Sequence, residues 1–307
     1  MFSMFAKNLS RVTAVGVGAV GFLGGIFAEK YRNYAQVNAA GSFSGYDSGG
    51  GAVIPMDQEP HLPKVKPTRS SQIMRFGFPG MDNIRSYNDF VISYDQRNRV
   101  PHWVFEHLTR NHVKHNPDVD RSKCDFYEDS SVHPFFRASN ADYKGSGYDR
   151  GHLAAAGNHR LSQDHVGETF VLSNIAPQVG RGFNRDAWNR LEKYVRGLTK
   201  RYENVYVCSG PLYLPRREAD GKYYVRYEVI GQNNVAVPTH FFKVVIGEET
   251  TGQLDLEAYC MPNKAIDDGI PVTSYRVPLE TIERAAGLIF CDRIPRKLFR
   301  QINGKKN

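Results

Sequence analysis

The stretch G-S-G-Y-D-R-G-H-L-A-A-A-G-N-H-R, residues 145–160, decides how the rest of the chain is read. It sets His152 directly after a glycine and two residues after Arg150. No apolar periodicity runs up to His152, so a core-packing account of that end is weak. Glycines at 145, 147 and 151 let the backbone bend and let a bulky ligand come close. An imidazole that titrates near neutrality beside a permanent cation suits a base acting on an anionic substrate. The arginine holds the anion, and its charge favours the neutral, proton-accepting ring. A structural histidine in a tight turn fits the same residues equally well, so this stretch alone leaves both readings open.

Two further segments lie close behind: L-S-N-I-A-P-Q at 172–178 and F-N-R-D-A-W-N-R-L-E at 183–192. They add Asn174, Asn184 and Glu192, with arginines at 185, 190 and 196. Over Asp186–Lys200, the spacing of Trp188, Leu191, Val195 and Leu198 by threes and fours predicts a helix with one buried face. Glu192 stands at the edge of that face. It is either a solvated boundary residue or a carboxylate aimed at a site, and periodicity alone favours the solvated reading. No cluster of aspartates can cage two metal ions here, and no serine or cysteine nucleophile stands beside a base. One histidine, an amide oxygen and one carboxylate suit a single hard divalent ion that keeps most of its waters, as Mg²⁺ does. A neutral asparagine ligand leaves the ion's charge undiminished for a phosphorane-like transition state.

The 307 residues, 41% apolar and 12% aromatic, are enough for a sizeable core. A net charge of +8 draws the chain to polyanions, nucleic acid or an acidic membrane surface, although a merely basic surface gives the same number. No helix-turn-helix, zinc-finger or RNA-stacking signature argues for base readout, so phosphate contacts would position a nucleic acid without reading it. Cys124, Cys208, Cys260 and Cys291 are far apart, with no C-x-x-C, and Cys208 and Cys291 sit in apolar runs that predict buried thiols. His102, His107, His112 and His115 precede a polar loop, with no pattern that demands a metal.

Residues 1–36 read as a targeting segment: Lys7 and Arg11 with no acid before Glu29, then a glycine-diluted apolar run of about 17 residues. A mitochondrial presequence with an anchor segment is favoured over a secretory signal. Residues 37–65, rich in Gly, Ser and Pro, read as a linker. Residues 66–307 hold the folded domain. Strands are predicted over 90–95, 100–108, 205–214, 223–230, 240–246 and 254–261, with a hairpin turn at Asp95–Arg99. Pro278–Ala286 predicts a helix stopped by Gly287, Leu288–Cys291 a short buried strand, and the basic tail after Arg293 a frayed end.

Five segments together carry a specific resemblance: F-R-A-S-N-A-D-Y (136–143), S-G-Y-D-R-G-H-L-A-A-A (146–156), N-H-R (158–160), L-S-N-I-A-P-Q (172–178) and N-R-D-A-W-N-R-L-E (184–192). The chain resembles the DNA/RNA non-specific endonucleases of the ββα-metal (His-Me finger) superfamily, and within them the mitochondrial endonuclease G branch. The match covers roughly residues 70 to 300.

The resemblance implies an α+β fold, a mixed, mainly antiparallel central β-sheet flanked by helices, with a ββα-metal finger carrying the active site. It implies a Mg²⁺-dependent endonuclease acting on double- and single-stranded DNA and on RNA, with Mn²⁺ a possible substitute, leaving 5′-phosphate and 3′-hydroxyl ends. His152 matches the general base and Asn184 the one direct protein ligand of the metal. Glu192 matches the residue that positions the metal's waters, and Asn174 the asparagine that orients the histidine region and those waters. Arg150 and Arg196 match phosphate-binding arginines, and Arg137 is a further candidate. The resemblance also implies a homodimer in the mitochondrial intermembrane space or at the inner membrane, touched by the N-terminal segment. Release to the nucleus would serve apoptotic DNA degradation. One departure stands out: Gly180-Arg181-Gly182 makes the loop between Asn174 and Asn184 one residue longer than in bacterial relatives. Two other functions remain open from the sequence: a nucleic-acid-binding protein without catalysis, and a hydrolase of another phosphodiester such as a lipid head group.

Overall fold

The computed structural model describes residues 68–307; the targeting segment (1–36) and the linker (37–65) lie outside the described residues. The strands, in chain order, are β1 (Ile84–Ser86), β2 (Phe90–Asp95), β3 (Val100–Leu108), β4 (Tyr148–His152) and β5 (Ile175–Val179). They continue with β6 (Asn204–Leu212), β7 (His240–Glu248), β8 (Leu254–Pro262), β9 (Phe299–Ile302) and β10 (Lys305–Lys306). Eight of them form one sheet in the order β1-β2-β3-β6-β7-β8-β9-β10. Every pairing is antiparallel except β8 with β9. This is the mixed, mainly antiparallel α+β architecture expected.

The period-two alternation of side chains divides the core in two. Phe90, Ile92, Val104, Val207 and Phe241 pack on one face of the sheet, and Val91, Trp103, Phe105, Cys208 and Phe242 on the other. The second face is covered by helix α1 (Arg69–Ile73) and by α3 (Leu279–Ala286), through Ile73, Leu279 and Ile282. Helix α3 stops where Gly287 turns left-handed at φ 67°, as its position predicted.

The first face carries the finger. β4 and β5 pair antiparallel from Tyr148↔Val179 to His152↔Ile175. The chain then runs through an irregular π-type turn, Gly180–Trp188, into helix α2 (Asn189–Leu198). Gly182 sits at φ 84°, and a Cβ there would lie 2.8 Å from Ala265 Cα, so the extra loop residue is accommodated by a glycine pressed against the neighbouring backbone. Trp188, Leu191 and Val195 are buried as predicted, with Trp188 against Phe241 at 5.7 Å between ring centroids. Only Arg181 and Gly182 have non-helical angles in the Gly180–Trp188 turn, so the backbone is already helical at Asp186, where the periodicity starts the helix.

Three expectations fail for identifiable reasons. Residues 223–230 do not join the sheet: Tyr223, Val225, Tyr227 and Val229 are all exposed, so the alternation has no core to face. Its ends form two small ladders with Arg216–Arg217 and Val235–Ala236. Residues 288–291 form no strand. Leu288 and Phe290 are buried, but their amides go to Glu283, at its carbonyl (3.3 Å) and its carboxylate (3.0 Å). The tail is not frayed either. Phe299 is buried, and Arg300 bonds Asp255 (3.0 Å) and Glu249 (2.7 Å), so acids on and beside β8 bind the charge that composition assigned to solvent. Truncating Phe299 to alanine should therefore cost roughly 3–5 kcal/mol, read as a lower urea midpoint with an unchanged slope.

Candidate active site

His152 ends β4 because the backbone beside it can be crossed at close range. A Cβ on Gly151 would collide with the Gln178 side chain, which is fully buried where β5 passes over β4. The imidazole sits between Phe126 and Phe170, with ring centroids at 5.2 and 4.7 Å. Its Nε2 is buried without a hydrogen-bond partner. Burial, with help from the nearby charge of Arg121, pushes its pKa down to about 3, so the ring is neutral and able to accept a proton. The sequence stretch that left two readings open thus yields a ring with an unused nitrogen, not a structural hydrogen-bonding histidine.

Asn184 lies across the same cleft. Its Nδ2 donates to Asp149 Oδ2 at 2.9 Å, and the same carboxylate takes Arg185 through Nε (2.8 Å) and Nη2 (2.6 Å). Committing the amide nitrogen orients Asn184 and leaves Oδ1 as its outward acceptor. Glu192, one turn into α2, is not the solvated boundary residue that periodicity favoured: its side chain is 14% exposed and stands 3.9 Å from Arg196. Burial raises its pKa, against the lowering influence of Lys243 and Arg196. Arg196 donates to Asn158 Oδ1 at 3.1 Å and lies over Gly157, where a Cβ would come 3.1 Å from the guanidinium. Arg150 is exposed, stacks 4.4 Å from the Phe126 ring centroid and bonds Asn140 at 2.6 Å.

His152, Arg150, Asn184, Glu192 and Arg196 therefore line one cleft of about 590 Å³, joined by Arg121, Arg160 and Lys193. Asn174 and Arg137 are elsewhere. Asn174 is fully buried; it accepts from Ala154 N (2.9 Å) and donates to Ala154 O (3.0 Å) and Thr169 O (2.7 Å). It braces the backbone beyond His152, as expected of it, but has no group left for metal-bound water. Arg137 is spent on the carbonyls of Val132 (2.7 Å) and Ser130 (2.9 Å) and ties a loop outside the cleft. Two contributors were overlooked. Asp149 was in view inside the D-R-G-H motif, but its hold on Asn184 spans 35 residues of sequence. Arg121 sits in the loop read as polar filler.

Beneath the cleft, His159 has a structural place. It is fully buried, bonds Glu106 at 2.9 Å and stands 3.8 Å from Asp89. Burial alone would lower its pKa, but Asp89 and Glu106 outweigh burial and raise it to about 9. His107 and His112, which flank Arg69, are instead held down to about 4 by burial.

The family model described as DNA/RNA non-specific endonuclease matches residues 69–297, almost the whole described fold, and the chain belongs to that family of nucleases. Within the family its place is the mitochondrial endonuclease G branch. It is 53% identical over 241 residues to "Endonuclease G, mitochondrial" of Caenorhabditis elegans, covering 78% of each chain. It is 55% identical over 223 residues to the human protein of the same name, covering 73% of this chain and 74% of that one. Among solved structures it resembles a chain of the crystal structure of an EndoG/EndoGI complex, with a TM-score of 0.78 and 63% identity, covering 79% of this chain and 99% of that one.

Two outcomes test this geometry. Gly151→Ala should lower stability and cleavage together, and Gln178→Ala in the same chain should recover part of the stability, with a coupling of about 1 kcal/mol or more in a double-mutant cycle. The second concerns pH. Between pH 6.5 and about 9 the folded His159 keeps a proton that the unfolded chain releases, so its stabilisation is full below 6.5 and is lost towards 9. His107 and His112 act in the opposite sense, costing stability as pH falls from 6.5 towards 4. Unfolding free energy should therefore peak near pH 6.5, and His159→Gln should flatten the alkaline limb in urea titrations at several pH values.

Proposed function

We propose that this chain is a Mg²⁺-dependent, sequence-tolerant endonuclease that hydrolyses DNA and RNA to 5′-phosphate and 3′-hydroxyl ends, with His152 as general base. The observation that carries the reading is the convergence of a neutral imidazole, His152, and an asparagine side chain oriented by Asp149, Asn184, on one cation-lined cleft. The donor set fits a hard divalent ion: Asn184 Oδ1 would hold it directly, and Glu192, a carboxylate strained by burial, would hold its waters. When bound, such an ion supplies positive charge for the phosphoryl and departing oxygens, and Mn²⁺ suits the same oxygens.

The chain's own residues do the rest. Arg150 and Arg196 bind the phosphodiester and bring its phosphorus to the cleft. His152 takes the proton from a water as the water's oxygen bonds to phosphorus. The P–O3′ bond breaks, the 3′-oxygen takes up a proton and leaves as a hydroxyl, and the phosphate stays on the 5′ side. Phe126 and Phe170 pack against the imidazole and hold its orientation at the cleft wall. Indifference to base sequence follows from recognition by guanidiniums and lysines, which contact phosphate.

The names of the relatives support a mitochondrial location; the intermembrane space or inner membrane as the compartment, and the nucleus after release, are part of the proposal alone. A homodimer with two separate sites and a role in apoptotic DNA degradation complete the proposal. The full chain with supercoiled plasmid tests its chemical core. Nicking should require Mg²⁺, stop with EDTA, and fall by ~10²–10⁴ in His152→Ala while plasmid binding persists. Asn184→Ala should raise the Mg²⁺ concentration needed for half-maximal rate. Binding without cleavage by the wild-type chain would mean a nucleic-acid-binding protein instead, and cleavage of a lipid diester alone would mean a different substrate.

A further inference from the structure

The cleft does not end at Glu192. It opens into a second groove along the exposed side of α2, and Arg160, Lys193 and Arg196 line both. Beyond them the second groove is walled by Arg110, Lys114 and Lys200, and no acidic side chain lines it. Elsewhere in the described residues the arginines are heavily engaged: Arg75, Arg276, Arg296 and Arg300 each face a carboxylate within 3.0 Å. Lys114, Lys193 and Lys200 are exposed and make no ion pair among the described residues. Arg110 is set in place by donating to the Lys200 carbonyl at 3.1 Å, which also occupies an acceptor at the C-terminal end of α2 that would repel an anion.

We propose that this groove is the track for the polynucleotide on one side of the scissile bond. Arg160 and Lys193 receive the first phosphates outside the cleft, and Lys114 and Lys200 receive those further out. The inference rests on the nuclease reading above and specifies where its polymer lies. Length supports it. From Arg196 to Lys200 the helix and its last turn advance about 6 Å, close to two phosphates at ~3.4 Å apiece along one strand of a duplex. An acidic protein would also be drawn to these cations, but the track is continuous with the site where a phosphodiester must sit, and this favours the substrate itself.

The test compares the full chain with its Lys114→Ala/Lys200→Ala variant on two substrates, plasmid DNA and a trinucleotide too short to leave the cleft. For the variant, the concentration of plasmid giving half-maximal rate should rise several-fold at 150 mM salt. The slope of log affinity against log salt should become shallower by about 1.8, two phosphate contacts at ~0.9 each. Trinucleotide cleavage should be unchanged. A second variant, Lys305→Ala/Lys306→Ala, removes the same charge at the far edge strand and should leave the slope unaltered. An unchanged slope in the groove variant, or an equal change in the edge variant, would overturn the track. Absence of cleavage of either substrate by the wild-type chain would instead sink the nuclease reading.

Discussion

A protonated imidazole held between two carboxylates, His159 between Glu106 and Asp89, ties the finger to the sheet beneath the cleft. Glu106 comes from β3 and Asp89 from the turn before β2, while His159 arrives from the finger seven residues after His152. Glu106 Oε1 also accepts from Asn158 Nδ2 at 2.8 Å, and Asn158 Oδ1 in turn accepts from Arg196. One sheet carboxylate thereby reaches, in two hydrogen-bonded steps, an arginine that lines the cleft. Buried ion pairs are weak devices for net stability but strong ones for excluding wrong arrangements, because any register that separates the partners strands a charge in the core. A two-stranded ladder over a helix has little core of its own. Such a clamp supplies the uniqueness that hydrophobic burial alone would not.

The same logic explains the distribution of positive charge. A net charge of +8 says nothing about where the cations are free. On the outer edge, Arg300 is taken by Asp255 and Glu249, and Arg296 by Glu283, so the two arginines of the basic tail are electrically spent. Around the finger the acids are withdrawn instead. Asp149 is consumed by Asn184 and Arg185, and Glu106 by His159 and Asn158. The field of the molecule is then concentrated over the cleft by what the acids do, as much as by where the lysines and arginines lie.

What could be read from the sequence follows the range of the interactions involved. His152, Asn184 and Glu192 could be picked out as candidates by their motif segments, but local spacing left His152 open between two readings and turned Glu192 toward solvent. The strands at 90–95, 100–108, 240–246 and 254–261 were legible because apolar, β-branched and aromatic runs are a local signal, and the structure buries them on both faces. The failures came where a distant partner decides. Arg137 reads as a free cation until the carbonyls of Val132 and Ser130 are seen to claim it. The tail reads as solvated until β8 offers Asp255. Residues 223–230 have the alternation of a strand but no covering layer, a property of the tertiary fold that no local pattern contains.

Glu192 is the instructive intermediate case. Helical periodicity placed it beside Leu191, at the boundary of the buried face, where a carboxylate normally turns to water. It does not, because the opposing sheet is not uniformly apolar. Lys243 on β7 faces the finger, fully buried, bonded to Ser209 on β6 and lying 4.7 Å from the Trp188 ring centroid. Its charge lowers the cost of bringing Glu192 inward, and burial still holds the carboxylate's pKa above its ordinary value. Arg196, one turn further along α2, stands 3.9 Å from the same carboxylate and adds to the lowering, so Glu192 faces positive charge from its own helix as well as from the sheet.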